Sequence, residues 1–115
     1  MTTVKLLNGT EYTLYDSRES RATVSGSTRE AVMLTIPREG NDINTVYDSF
    51  IPSNTSKMEI LENNSTVKIY TDYSIVSTFE IRQRSDEYTG EKKDFIYINL
   101  ARMTYLEKKL NELGV

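Results

Sequence analysis

The chain contains no cysteine and no histidine. Without cysteine there can be no disulfides, thiolate nucleophiles, cysteine-ligated zinc sites or iron–sulfur centres. Without histidine, the chain lacks the commonest general base near neutral pH and the commonest transition-metal ligand. Its five glycines stand alone, so no glycine-rich phosphate loop is present. We therefore expect no enzyme, with no catalytic residue, no cofactor and no metal. A hydrolase that uses carboxylates alone remains an alternative.

Charge and hydropathy restrict the class of partner. The formal net charge is −3 over 115 residues, whereas nucleic acid and anionic membranes both select basic surfaces. No apolar run approaches the roughly 20 residues that span a bilayer. The first nine residues also lack the apolar stretch of a secretory signal. We expect protein partners, no nucleic acid and no membrane, in a cytoplasm or in a particle assembled there.

Most of the chain shows strand and hairpin signals. Asn8-Gly9 predicts a hairpin with a three-residue loop, because this register sets Lys5 opposite Glu11 and Val4 opposite Tyr12, better pairs than a two-residue turn makes. Three further hairpins are predicted at Gly26-Ser27, at Asn63-Asn64 and around a polar loop over residues 85–93.

Two segments show helical periodicity. In residues 43–50 the apolar positions follow i, i+3, i+4, i+7, after Asn41 or Asp42 as the N-cap, and we expect this short helix to pack across the sheet. The second segment follows the last strand without a breaker and ends near Gly114, a suitable left-handed cap. These signals predict an α+β fold, mainly antiparallel β hairpins, with one short packing helix and a C-terminal amphipathic helix. We expect a β-rich domain over residues 1–100, completed by the helix over residues 101–115.

The terminal helix carries the first candidate site. Its apolar side chains form one narrow stripe with the a/d spacing of a coiled coil, and we call the following four residues the seam: Met103, Leu106, Leu110 and Leu113. Either the seam folds back over the sheet of its own chain, or it joins copies of the chain into a homo-oligomer. We favour association, because the stripe is narrow and begins at the end of a strand.

Tyrosines and arginines supply the other candidates. There are eight tyrosines, and Tyr70, Tyr73 and Tyr88 fall in or beside predicted turns. Because tyrosine is enriched at interfaces, we expect these three to contact a partner; the alternative is packing within amphipathic strands. Arg18 and Arg21 lie in a charged connector over residues 16–21 and are candidate anion-binding residues. Their alternative role is solubilising surface charge.

The order of these segments resembles a known class of proteins. An opening hairpin (VKLLNGTEYTLY), a strand (EAVMLTIPR) and a closing strand and helix (IYINLARMTYLEKKLNEL) resemble the layout of small tail and baseplate proteins from tailed bacteriophages of Gram-positive hosts. This resemblance implies a non-enzymatic virion or assembly component, often oligomeric, in the virion or the host cytoplasm. The alternative is a small phage-encoded binding protein that inhibits a host defence protein or captures a small ligand.

Overall fold

The computed structural model describes residues 1–114. Eight strands and three short helices follow one another in these residues: β1 (Thr2–Lys5), β2 (Glu11–Thr13), β3 (Asp16–Val24), β4 (Ser27–Pro37), α1 (Ile43–Ser49), α2 (Pro52–Thr55), β5 (Lys57–Glu62), β6 (Ser65–Thr71), β7 (Ile75–Ser85), β8 (Lys92–Ala101) and α3 (Tyr105–Glu112).

The strands form two antiparallel four-stranded sheets around one core. Sheet 1 has the order β2-β1-β5-β6 and sheet 2 the order β3-β4-β8-β7. Alternate residues of each strand point inward, and they meet in one buried cluster that includes Val4, Leu6, Tyr12, Met58, Ile60 and Tyr70 on one side and Val32, Leu34, Ile36, Ile96, Ile98 and Leu100 on the other. The predicted α+β fold, mainly antiparallel β with a C-terminal helix, is confirmed.

The first hairpin has the predicted register. Lys5 pairs with Glu11 and Val4 with Tyr12. Gly9 takes a φ of 92°, in the left-handed region where a side chain would be strained, which closes the three-residue loop. Tight turns at Ser25-Gly26 and Asn63-Asn64 also have positive φ values.

Two strand predictions were wrong. The segment over residues 16–21, expected to be a connector, is the first part of β3, which pairs with β4 along its whole length. In β7, a β-bulge between Val76 and Thr78 shifts the alternation. Val76 therefore joins Phe79 against the core, whereas plain alternation in the sequence predicts that Ile75, Ser77 and Phe79 share a face.

Helix α1 closes the core between the sheets. Asp42 is its N-cap, with the side-chain oxygen 3.0 Å from the Thr45 backbone nitrogen. Phe50 stacks on Tyr12 of sheet 1 at 5.9 Å between ring centroids, and Tyr47 meets Phe79 of sheet 2 edge-on at 5.0 Å. Pro52 opens the unpredicted helix α2, since the first helical position needs no N–H donor.

Candidate functional site

The terminal helix begins later than its apolar stripe suggests. Strand β8 continues to Ala101, and the next three residues leave the sheet as irregular chain. Thr104 then caps α3: its hydroxyl accepts a hydrogen bond from the Glu107 N–H, while the Glu107 carboxylate accepts one from the Thr104 N–H. This capping box is readable in the sequence as T-Y-L-E, and it was the signal that apolar periodicity alone missed.

Helix α3 is held against the protein by its charged residues. Glu107 forms an ion pair with Arg29 of β4, whose side chain is only 12 % exposed. The same guanidinium donates to the backbone oxygens of Arg102 and Val24. The next residue, Lys108, forms a second ion pair, with its Nζ 3.3 Å from the carboxylate of Asp72. Eight residues are too few to form a stable isolated helix, so these contacts hold α3 in place.

The opposite face of α3 carries the leucines and points into solvent. At 100° per residue, Leu106, Leu110 and Leu113 lie on the side of the helix away from Glu107 and Lys108. Their exposed fractions are 66 %, 42 % and 76 %. Met103 precedes the helix and is half-buried, so the seam over the helix itself is reduced to three leucines, joined by the exposed ring of Tyr105. We call Tyr105, Leu106, Lys109, Leu110 and Leu113 the outward face.

Acid should release α3. Hydrogen bonds from Thr104 and the ion pair with Arg29 hold the pKa of Glu107 below its usual range. The stabilisation is therefore complete above the unfolded pKa of about 4.3 and is lost as the pH falls through the lower folded pKa. Backbone NMR signals of α3 should lose their helical shifts as the pH falls below the unfolded pKa of about 4.3. Glu107→Gln keeps a capping acceptor without charge and should remove the part of the transition that depends on Arg29. Identical α3 signals at pH 7 and pH 2 would contradict this assignment.

The three candidate tyrosines lie in three different environments. Tyr70 is in β6 rather than in a turn and is 8 % exposed, so its assignment as a partner contact is corrected: the ring belongs to the core. Tyr73 lies in the bend before β7, half-buried, with its ring edge-on to Tyr70 at 5.2 Å and its hydroxyl 3.3 Å from Glu30. Burial, followed by the Glu30 charge, raises the pKa of Tyr73. Of the three candidates, only Tyr88 is largely exposed, at 86 %.

Serine substitutions should separate these environments. Tyr88→Ser should change the free energy of unfolding by no more than about 0.5 kcal/mol, as at ordinary surface positions. Tyr70→Ser should cost about 3 kcal/mol or more, the usual loss for a buried aromatic residue. Urea unfolding of the two variants measures the difference. Similar losses would show that Tyr88 is as deeply packed as Tyr70.

Arg18 and Arg21 do not form one anion site. They lie three residues apart on β3, opposite Met33 and Glu30, so their side chains leave opposite faces of sheet 2. Two other arginines are engaged in ion pairs elsewhere: Arg29 with Glu107 and Arg38 with Asp94. Arg18 and Arg21 therefore do not converge on one anion, because residues three apart share a face on a helix but not on a strand.

A cleft of about 550 Å³ lies at the other end of β4 and β8, and sequence reasoning missed it. It is lined by Tyr15, Pro37, Arg38, Glu39, Asp86, Lys93, Asp94 and Phe95. Its aromatic side chains are Tyr15, which is partly exposed, and Phe95, which is buried and packs on Tyr15 at 4.6 Å between ring centroids. The Tyr15 hydroxyl accepts a hydrogen bond from the Glu87 N–H, which ties the β7–β8 loop to the cleft, and Tyr88 stands edge-on to Tyr15.

The rim of this cleft has a small acidic excess. Arg38 pairs with Asp94 at 3.3 Å and Lys93 with Asp86 at 3.6 Å. Hydrogen bonds from the Tyr88 and Thr89 N–H groups help to lower the pKa of Asp86, the Tyr88 bond most strongly. Glu39 forms no ion pair with any residue from 1 to 114. The cleft is the kind of compact pocket that the alternative function, a small binding protein, requires.

Two further features that would indicate a function are absent from the described residues. Residues 1–114 contain no group of three or more acidic residues arranged to hold a metal ion. Within the same residues, no helix has the length and apolar character needed to cross a membrane. No known protein family, curated protein or solved structure matches the chain. The candidate sites therefore rest on the geometry of this chain alone.

Proposed function

We propose that the protein is a non-catalytic assembly component that acts through protein–protein contacts made by the outward face of α3. One observation carries the proposal: α3 is anchored by Glu107 and Lys108 while its leucines are exposed. A surface helix ordinarily turns its apolar stripe to the core and its charges to water. Here the arrangement is reversed, and exposed apolar patches of this kind mark interaction sites.

The proposed setting is the tail or baseplate of a tailed bacteriophage, in the virion or in the host cytoplasm. It is supported by the resemblance in segment order, from the opening hairpin to the strand–helix closure. An assembly role also agrees with the composition, since a chain without histidine or cysteine lacks the usual catalytic side chains. Protein partners, among them further copies of the chain, are the expected ligands.

The test is the mass of the full chain in solution. Sedimentation over a concentration series should show association that depends on Leu106 and Leu110. Association that persists when both leucines become aspartate would reject α3 as the contact surface, and with it the proposed function.

A further inference from the structure

The outward face of α3 and the cleft lie at opposite ends of the same two strands. In β4, Arg29 anchors α3 and Pro37 lines the cleft. In β8, Phe95 lies in the cleft and Ala101 is followed by α3. At about 3.4 Å per residue, six to eight residues of strand separate the two sites by roughly 20–27 Å. The α3 of one molecule therefore does not reach its own cleft, and any helix seated there comes from another molecule.

The two surfaces complement each other. The cleft offers the partly exposed side chains of Tyr15 and Pro37, which lie over the buried Phe95, and the outward face offers three leucines. The rim carries three acids and two bases, with Glu39 outside the two ion pairs. At the centre of the outward face lies Lys109, with its amino group 5.5 Å from the Tyr105 ring centroid. Its partner Glu112 is on the same helix and about half exposed, so Lys109 can exchange that partner for an acid on another molecule.

The position of Lys109 also argues against the simplest alternative, a two-fold pair of α3 helices. A two-fold interface places the same patch on both subunits. Lys109 follows Leu106 by three residues and precedes Leu113 by four, so it occupies the middle of the patch and would face its own copy. Like charges brought together at an interface are costly. In the cleft, the same ammonium group meets a rim with one acidic residue in excess, Glu39.

We propose that α3 of one copy docks in the cleft of another, so that copies join head to tail, with Lys109 beside Glu39. This inference rests on the proposed function, because it names the partner of the same outward face. A head-to-tail interface closes into a ring if its rotation permits and otherwise extends as a filament. Either product is an assembly in which every copy uses both of its surfaces.

A charge exchange tests the proposal. Glu39→Lys and Lys109→Glu each place like charges together, and each should lower the association constant at least tenfold at low salt. The double variant restores an opposite pair and should associate within about threefold of the original chain. Glu62→Lys and Lys57→Glu are the matched controls, because both positions are exposed and lie on β5 in sheet 1. Neither control should change association.

Mixing the two single variants gives a second, independent readout. In the mixture, the unchanged Lys109 of the Glu39→Lys chain meets the unchanged Glu39 of the Lys109→Glu chain. The glutamate at position 109 of the second chain meets the lysine at position 39 of the first chain. The mixture should therefore regain the association that each variant lacks alone. A two-fold α3 pair predicts that Glu39→Lys alone has no effect on association, and this result would overturn the head-to-tail assignment.

The remaining outcomes are distinct. A chain that stays monomeric at all concentrations would overturn the inference and leave a different protein as the partner of α3. In a second outcome, the Leu106→Asp, Leu110→Asp variant loses association but Glu39→Lys does not. This result would overturn the cleft as the acceptor while supporting the proposed function. Association that persists in the aspartate variant would overturn both.

Discussion

The double variant Leu106→Asp, Leu110→Asp should lose self-association while it keeps its fold. Both side chains are exposed on the outward face of α3, at 66 % and 42 %, so little buried contact is lost within one molecule. A surface substitution away from special features changes stability by about 0.5 kcal/mol or less. An aspartate in a packed interface, by contrast, buries an unpaired charge. Sedimentation should show monomer, and the β signature in circular dichroism should remain.

A matched control keeps this result specific to α3. Leu7 is also about half exposed and lies in the β1–β2 loop, so Leu7→Asp should leave both mass and fold unchanged. If the leucines of α3 instead belonged to the core, each loss would cost about 2–5 kcal/mol. Unfolding of the double variant would then reject the outward orientation of α3.

The terminal helix shows which structural features apolar periodicity predicts and which it does not. Spacing places Leu106, Leu110 and Leu113 on one face, and the helix does form. Spacing says nothing about the direction of that face, which is decided here by Arg29 and Asp72, two residues far away in the chain. The helix start depends on local chemistry, the Thr104 capping box, and was therefore readable from the sequence.

Hairpins were the most predictable part of the fold, because their turns depend on adjacent residues. Asn8-Gly9 and Asn63-Asn64 supply residues that tolerate the left-handed region, and both turns occupy it. Strand β3 was missed in its first half for the opposite reason. Its charged sequence has little strand propensity, and pairing with β4 decides its conformation. Charges along such an edge strand also discourage unwanted pairing with other chains.

The candidate sites were likewise predictable only where they depend on residues that are adjacent in the chain. Tyr70 pairs with Met58 on the inward side of sheet 1, and its burial depends on that pairing rather than on the nearby turn. The cleft joins Tyr15, Arg38 and Phe95 from three distant segments, and no local pattern brings these together. Tyr88 is the exception, since its polar neighbours in the β7–β8 loop correctly indicated exposure.

Ile98→Ala should strongly destabilise the fold. Ile98 is fully buried and lies between Leu34 of β4 and Phe79 of β7 at the centre of sheet 2. Its truncation removes apolar contacts and leaves a cavity, which costs about 2–5 kcal/mol. Ile81→Ala is the matched control, because Ile81 is on the same side of the neighbouring strand but is 38 % exposed, and its loss should be no more than about 1 kcal/mol. Urea unfolding measures both. Equal losses would mean that the core does not lie between the two sheets.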